Sequence, residues 1–362
     1  MTYNRRYSDV FLTNEFRFIK FILEILVNFK SRPVCSTFIT QSMLELLWSA
    51  LNKVIKYVLN VFSPRRVPKD SQGYSTIQLI YDNYIVDSDS DHPRLVPGVV
   101  KVVFNRPLKK NAFNERMYKE LIDAFQQISK DDHIHTCILT GNGDFYSSGN
   151  DLANFTASIM HPLSMAKKAR RICQEVVEAF ITFKKPLVVV VNGPAIGLAV
   201  TSLGLCDCVY AVESAYFKTP FASLGISPEG CSTFTFPRIM GEKIAHEVLW
   251  EGKVLSAREA LQCRLIHGVL STKSDAENEA LKYCEKIASS DRMESRRCLL
   301  RDGLVDELLE VNTQEQDVLE RKFVSKDFFA KTAVFLEQKK MITAAIIVRY
   351  VAWLFITALQ SN

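Results

Sequence analysis

The sequence predicts a layered α/β core, and three observations carry that prediction. Apolar runs such as VVKVVFNRP, HTCILTG and PLVVVVNGP are separated by stretches with helical periodicity. Residues 188–191 read VVVV, a continuous β-branched run that suits a strand buried on both faces of a sheet. In the segment 114–128, apolar side chains recur at helical spacing: Met117, Leu121, Ile122, Phe125 and Ile128. Strands that alternate with helices in this way build sheets covered by helices.

The first 75 residues differ from this pattern and predict an N-terminal helical leader followed by a linker. FRFIKFILEILVNFK and MLELLWSALNKVIKYVLNVF each confine their polar residues to one narrow helical stripe, so both predict amphipathic helices. Over residues 11–62 such helices favour membrane-surface or partner contact over crossing a bilayer. The Pro- and Ser-rich segment SPRRVPKDSQGYS then predicts a linker. Acidic residues in the leader make a mitochondrial import signal weak.

The C-terminal segment 341–362 predicts an apolar helix. MITAAIIVRYVAWLFITAL, residues 341–359, is long enough to span a bilayer, but it carries Arg349 near its centre. A charge there costs about 2.5 to 3.5 kcal/mol on insertion scales. Three interpretations remain open: a membrane anchor, a buried or oligomer-forming helix, and an aberrant reading of the gene.

Composition and motifs exclude several functional classes. The net charge of +5 is mild and its basic residues are scattered, which argues against nucleic acid as the main ligand. Nine cysteines without a CxxC pair indicate a reducing compartment and no structural zinc. His133 and His135 would share one strand face but have no third ligand in view, so no metal site is expected. Neither GxGxxG nor a phosphate-loop motif occurs.

Two turns and one acidic residue are the candidate catalytic groups. DFYSSGNDL (144–152) and NGPAIGLAV (192–200) each follow a predicted strand and lead into a predicted helix. Backbone N–H groups at such helix starts lack partners, and two converging turns would form an oxyanion hole. Farther along, FASLGISPEGCSTF contains a single charged residue, Glu229, between Pro228 and Gly230. By itself this stretch is better explained as an ordinary turn with the Glu229 side chain in solvent.

These motifs resemble those of a known protein family. From about Ser75 to Lys340 the chain resembles the crotonase (enoyl-CoA hydratase/isomerase) superfamily, through RPLKKNAFN, FYSSGNDL, VNGPAIGLAV, the CD pair at 206–207 and SPEGCSTFTFPRIMG. SSGND followed by SPEG resembles its Δ3,Δ2-enoyl-CoA isomerase branch in particular. The resemblance implies a spiral core of ββα units over 76–285, a C-terminal helical segment over 286–340, and assembly into a homotrimer or hexamer.

The resemblance also implies roles for individual residues. The oxyanion amides would be those of Asn150, after Gly149, and Leu198, after Gly197. Positions where hydratases of the family carry two glutamates correspond to Thr201 and Phe221, so the water-activating pair is missing. The remaining acid, Glu229, matches the catalytic base of the isomerases.

Further residues are expected to contact the substrate. The loop with Lys109, Lys110, Asn111 and Ala112 would lie beside the coenzyme A nucleotide, with solvated surface lysines as the alternative. Ser147, Ser148 and Asp151 would line the thioester site, with helix capping as the alternative for Asp151. Phe221 and Phe234 fit either the core or the wall of an acyl pocket.

The functional hypothesis is an isomerase that converts 3-enoyl-CoA to 2-trans-enoyl-CoA in the β-oxidation of unsaturated fatty acids. Glu229 would transfer the proton alone, its apolar neighbours raising its pKa. No cofactor is expected, because coenzyme A is part of the acyl-CoA substrate. The alternatives are a non-catalytic acyl-CoA-binding module of the chromodomain Y-like type and a weak hydratase. A mitochondrial or peroxisomal matrix location is expected, although the chain ends in QSN rather than in a peroxisomal tripeptide.

Overall fold

The computed structural model of the 362-residue chain describes residues 73–81, 84–86, 94–96, 98–156, 161–288 and 303–360. The helices predicted within 11–62, and most of the predicted linker, lie outside the described residues.

Strands and helices alternate along the described chain, as the sequence predicts. The strands are β1 (Ile77–Ile80), β2 (Tyr84–Val86), β3 (Arg94–Val96), β4 (Val99–Phe104), β5 (Thr136–Gly141), β6 (Leu187–Val191), β7 (Ala195–Ile196), β8 (Cys208–Val212), β9 (Tyr216–Lys218), β10 (Leu255–Ser256) and β11 (Gly268–Leu270). The helices are α1 (Glu115–Lys130), α2 (Leu152–Thr156), α3 (Pro162–Thr182), α4 (Leu198–Thr201), α5 (Phe221–Leu224), α6 (Ser232–Met240), α7 (Glu242–Leu249), α8 (Ala257–Gln262), α9 (Lys273–Ala288), α10 (Val305–Phe323), α11 (Lys326–Gln338) and α12 (Ile342–Gln360).

The main sheet has six strands in the order β1-β4-β5-β6-β8-β11. Strand β1 runs antiparallel to β4, and the other neighbours are parallel. A smaller sheet has the order β10-β9-β7, and β2 pairs with β3. Parallel strands require crossover connections, which here contain the helices between the strands. The α/β fold class predicted from the sequence is therefore confirmed.

The centre of the main sheet is buried on both faces. All five residues of β6 are buried, and its side chains alternate between two apolar clusters. Val189 packs in the cluster that includes residues of α1 and α3, whereas Val188 and Val190 pack in the cluster that includes Ala276 and Ala280 of α9. A strand covered on both faces has no polar side to alternate with, which explains the uninterrupted valines.

Loops that follow β4, β5 and β6 meet at one edge of the sheet, because parallel strands end on the same side. The amide of Asn142, after β5, donates to the carbonyl of Phe104 at the end of β4. The amide of Gly141 donates to the side-chain oxygen of Asn192, after β6. These bonds tie the three loops together and place the predicted turns beside one another.

The C-terminal segment folds into helices on the core. Helix α10 packs along α3, and α11 packs along α12. Residues 342–360 form the helix that the sequence predicts, with Ala345, Val348 and Val351 buried. Arg349, near its middle, pairs with Glu337 of α11 at 3.0 Å. Across the described ranges, no helix combines the length and the apolar character needed to cross a membrane.

Candidate active site

The two predicted turns are in direct contact. The amide of Ser147 donates to the carbonyl of Pro194 at 3.2 Å, and the amide of Ile196 donates back to the carbonyl of Ser147 at 3.0 Å. A Cβ atom added at Gly149 would lie only 2.7 Å from the carbonyl oxygen of Ile196. Glycine at 149 therefore allows the first turn to approach the second.

Each candidate oxyanion amide follows a glycine in the left-handed region. Gly149 has φ of +80° and precedes Asn150, and Gly197 has φ of +63° and precedes Leu198. Such angles are accessible to glycine without steric cost. Within the described part of the chain, neither the Asn150 amide nor the Leu198 amide donates to a protein acceptor. Both N–H groups therefore remain available to a ligand oxygen.

The two amides are positioned by different local structures. Leu198 is the first residue of α4, as predicted, so its N–H belongs to a helix start. The predicted helix after the first turn is α2, which begins at Leu152, so the N–H of Asn150 lies two residues before the helix start. Instead, Asn150 forms a parallel bridge with Phe113. Phe113 bonds the carbonyl of Gly149 and the amide of Asp151, and this pattern leaves the intervening N–H of Asn150 unused.

The side chain of Asn150 is also fixed. Its Oδ1 accepts from Asn154 Nδ2 at 2.7 Å and from the Tyr118 hydroxyl at 3.3 Å. Burial, together with the nearby charge of Glu229, raises the pKa of Tyr118 well above its ordinary value. Tyr118 of α1 is thus a common neighbour of the Asn150 turn and of Glu229.

The turn that carries Glu229 packs on α4. Gly230 has φ of +74°, and a Cβ atom there would lie 2.5 Å from Thr201 Oγ1 and 3.3 Å from Leu198 Cδ1. The residue after Glu229 is therefore pressed against the helix whose first amide is that of Leu198. The segment that carries Glu229 therefore packs against the second glycine turn.

The carboxyl group of Glu229 is shielded, although part of the residue's surface stays accessible. Burial raises its pKa to about 7, a hydrogen bond from the Cys173 thiol opposes the rise, and the charge of Glu315 adds to it. The distance from Cys173 Sγ to Glu229 Oε2 is 2.8 Å. A carboxyl group with a pKa near neutrality both accepts and returns a proton readily.

Glu315 of α10 fastens the segment after Glu229. Its carboxylate accepts from the Cys231 amide at 2.7 Å, the Thr233 amide at 2.9 Å and the Thr233 hydroxyl at 2.7 Å. Because these donors occupy it, Glu315 supports the start of α6. Sequence reasoning missed Cys173, Glu315 and Tyr118, since each lies on a helix distant from the turns. The only indication in the sequence was that each of them falls in a segment predicted to be helical.

The two positions that correspond to the hydratase glutamates hold no acid. Thr201 is fully buried, and its hydroxyl donates to the carbonyl of Leu198 at 3.4 Å. Phe221 is 2% exposed and belongs to the main apolar core. Phe234 instead lines an open groove of about 670 Å³ that borders Pro228 and Thr233 on either side of Glu229.

The loop expected to contact coenzyme A has two kinds of residue. Lys109 and Lys110 are exposed. Asn111 is fully buried; its Oδ1 accepts from the Arg106 amide at 2.9 Å, and its Nδ2 donates to the carbonyls of Asn142 and Phe145. Asn111 thus holds the loop in shape while the lysines face outward.

The serines and the aspartate of the first turn are engaged within the protein. Ser147 Oγ donates to the carbonyl of Asn111 at 2.8 Å and accepts from the Gly149 amide at 3.1 Å. Ser148 donates its amide to the carbonyl of Lys110. Asp151 pairs with Arg106 at 2.9 Å and accepts from the Ala153 amide at 3.1 Å. The Arg106 guanidinium also bonds the carbonyl of Ala112.

Comparisons with known proteins found several similar chains. It is 44% identical over 247 residues to human "Enoyl-CoA delta isomerase 2", covering 67% of this chain and 62% of that protein. To mouse "Enoyl-CoA delta isomerase 3, peroxisomal" it is 43% identical over 221 residues, covering 60% and 69%. To human "Testis-specific chromodomain protein Y 2" it is 34% identical over 284 residues, covering 76% and 52%.

This chain thus spans less than two thirds of the length of the human isomerase it resembles. Among solved structures, an enoyl-CoA hydratase/isomerase from Pseudoalteromonas atlantica T6c superposes with a TM-score of 0.61 at 30% identity. That superposition covers 73% of this chain and 97% of the other. Residues 95–342 match the family described as "Enoyl-CoA hydratase/isomerase". The predicted family and fold are confirmed, and the chain belongs to the enoyl-CoA hydratase/isomerase family.

Proposed function

We propose that this protein is a Δ3,Δ2-enoyl-CoA isomerase, which moves the double bond of an acyl-CoA thioester from C3–C4 to C2–C3. One observation carries the proposal: the carboxyl group of Glu229, with its pKa raised to about 7, lies on a turn packed against the helix that begins with the Leu198 amide. The isomerases among its relatives, at 43–44% identity, support the same reaction.

The thioester oxygen would accept hydrogen bonds from the amides of Asn150 and Leu198. Removing the C2 proton places negative charge on this oxygen, and donors fixed in advance stabilise that charge without reorganising. Loss of one such donor in other enzymes raises the barrier by about 2.7 to 4 kcal/mol. The contact between the two glycine turns keeps both donors in place.

Glu229 would carry the proton between the two carbon atoms. Its carboxylate takes the proton from C2, the electron pair of that C–H bond becomes part of the dienolate, and the carboxylic acid returns the proton to C4. The new double bond then lies between C2 and C3, and Glu229 is again ionised. A pKa near 7 keeps both transfers close to balance at neutral pH.

Hydration would require a second carboxylate to hold and activate water. Thr201 and Phe221 at the corresponding positions cannot do this, and Glu315 is occupied by donors of the Cys231–Thr233 segment. We therefore favour isomerisation over weak hydratase activity. The proposed acyl-chain site is the part of the neighbouring groove that is lined by Ile226, Phe234, Leu249 and Trp250; other parts of the same groove carry charged residues.

Contacts with coenzyme A, the oligomeric state and the location of the protein are also proposed. Exposed Lys109 and Lys110 would meet the phosphates of coenzyme A. A homotrimer or hexamer, a peroxisomal or mitochondrial matrix location, and membrane association through 11–62 or 341–359 remain proposals; the name of the mouse relative supports the peroxisome.

The test is to give the purified full chain a 3-enoyl-CoA and to follow the absorbance of the conjugated 2-enoyl thioester. We expect turnover by the wild type and a loss of at least 100-fold in Glu229→Gln, which preserves shape but cannot accept the proton. Undiminished turnover in the variant would remove Glu229 from the mechanism. Tight acyl-CoA binding without turnover by the wild type would overturn the proposal in favour of a binding module like the chromodomain Y relatives.

A further inference from the structure

The thiol of Cys173 lies in hydrogen-bonding contact with the candidate base. Cys173 is on the inner face of α3 and is 8% exposed, and its sulfur lies 2.8 Å from Glu229 Oε2. Among the described residues, it is the one side chain that donates to this carboxylate at hydrogen-bonding distance. The other oxygen, Oε1, accepts from no donor in the described ranges of the chain.

Two buried side-chain amides of α10, those of Gln316 and Asn312, lie in the same region. Gln316 lies close enough to Cys173 to oppose, in part, the rise in the pKa of its thiol. Gln316 Nε2 also lies 3.5 Å from Asn312 Oδ1, and Asn312 Nδ2 donates to the carbonyl of Gln174 at 3.1 Å. Gln316 and Asn312 are both fully buried. The thiol of Cys173 thus lies between Glu229 and a buried polar region of α10.

The charge environment keeps this thiol protonated. Burial comes first and Glu229 second in raising the pKa of Cys173 well above its ordinary value. The titratable groups that face Glu229 are Tyr118 from α1, Cys173 from α3 and Glu315 from α10. Of these, the thiol donates to the carboxylate, and the charge of Glu315 works against it. A donor favours the ionised carboxylate, whereas burial and a second negative charge disfavour it.

We propose that Cys173 is a positioning residue, whose S–H bond holds Oε2 of Glu229 and leaves Oε1 directed at C2 and C4 of the substrate. This inference rests on the proposed isomerase function. Its consequence is that the thiol sets both the orientation of the base and the pH at which the base becomes active.

Cys173→Ala removes the donor, and Cys173→Ser replaces it with a stronger one of smaller size. In Cys173→Ala we expect kcat to fall about threefold to tenfold, with KM nearly unchanged because the thiol does not touch the substrate. The acid limb of the kcat/KM profile should move to higher pH, since the carboxylate loses a stabilising donor. Cys173→Ser should retain most of kcat and shift the limb to lower pH.

A measurement without turnover separates this inference from the proposed function. Infrared difference spectra against Glu229→Gln isolate the carbonyl band of protonated Glu229, and its pH titration gives the midpoint directly. We expect a higher midpoint in Cys173→Ala than in the wild type. An inactive wild-type chain that still shows this shift would overturn the proposed function while upholding the thiol–carboxylate coupling. An active chain in which Cys173→Ala changes neither midpoint, pH profile nor kcat would overturn the inference.

Discussion

The backbone amide of Cys231 donates a hydrogen bond to the carboxylate of Glu315, with 2.7 Å between the two atoms. Cys231 needs this support, because its φ of +56° lies in the left-handed region, which costs a non-glycine residue roughly 1 to 2 kcal/mol. The amide and hydroxyl of Thr233 bond the same carboxylate. The turn that presents Glu229 is thus fastened to α10, a helix that the chain reaches much later.

Replacing Glu315 should loosen this turn. In Glu315→Ala the buried amide of Cys231 and the partly buried amide of Thr233 lose their acceptor. We expect the free energy of unfolding to fall by about 2 to 4 kcal/mol, together with a large drop in kcat. Glu315→Gln keeps one oxygen acceptor and removes the charge that raises the pKa of Glu229, so the acid limb of the pH profile should move to lower pH. Urea unfolding and kcat/KM against pH measure both effects.

The matched control is Glu310→Gln on the exposed face of the same helix, where the partner is Gln314. It should change unfolding by less than about 0.5 kcal/mol. A stable and fully active Glu315→Ala chain would show that α10 does not support the turn.

Glu229 itself should make stability fall as pH rises. Burial raises its pKa in the folded chain to about 7 from an ordinary 4.5, so the folded state binds more protons than the unfolded state between these values. The stabilising contribution of the neutral form is complete below pH 4.5 and is lost as pH rises through 7. Relative to Glu229→Gln, which cannot ionise, the wild type should lose up to roughly 3 kcal/mol across this window.

Chemical unfolding of both chains at pH 5 and pH 8 measures the difference. Parallel pH dependences for the wild type and Glu229→Gln would mean that the carboxyl group titrates as it does in water.

The fold and the site differ in how far local sequence specifies them. The run at 188–191 and the periodicity of 114–128 encode burial residue by residue, so β6 and α1 could be predicted from a short window. The Asn150 amide is oriented by a bridge to Phe113, a pairing between distant segments that no local pattern contains.

The polar side chains around Glu229 could not be predicted from the sequence for a related reason. Cys173 lies among apolar residues of α3, and a buried cysteine there resembles ordinary core packing. Glu315 lies in a helix with many charged residues, where one more acid suggests a solvated face. Only the packing of α3 and α10 against the turn reveals what these two side chains contact.

A second buried carboxylate, Glu120 of α1, should contribute stability with the opposite pH dependence. It accepts from the amides and hydroxyls of Ser75 and Thr76, and from Arg116. Burial alone would raise its pKa, but these donors outweigh burial and lower it. Its stabilising effect is therefore present above the ordinary value of 4.5 and is lost as pH falls through the lowered pKa.

Glu120→Gln should accordingly reduce the free energy of unfolding by about 2 to 4 kcal/mol at pH 7 and by much less at pH 3. Urea unfolding at the two pH values gives the comparison. Glu175→Gln, which breaks a surface pair with Arg171, serves as control and should cost less than about 1 kcal/mol. A loss for Glu120→Gln that is equal at both pH values would assign the effect to shape rather than to charge.

Gly149→Ala tests whether the contact between the two glycine turns holds the oxyanion donors. The new Cβ would face the carbonyl of Ile196 at 2.7 Å, so the turns must separate and the Asn150 amide must move from its partner amide. We expect kcat/KM to fall by about 100- to 1,000-fold, as for loss of one oxyanion donor.

Gly252→Ala is the matched control, since Gly252 has a similar φ of +73° but no atom within 4 Å of the added Cβ. Both variants carry the strain of a left-handed alanine, roughly 1 to 2 kcal/mol, and thermal unfolding should show that loss in each. Only Gly149→Ala should lose activity, because in Gly252→Ala the donors stay in place. Equal activity in the two variants would show that catalysis does not depend on the close approach of the two turns.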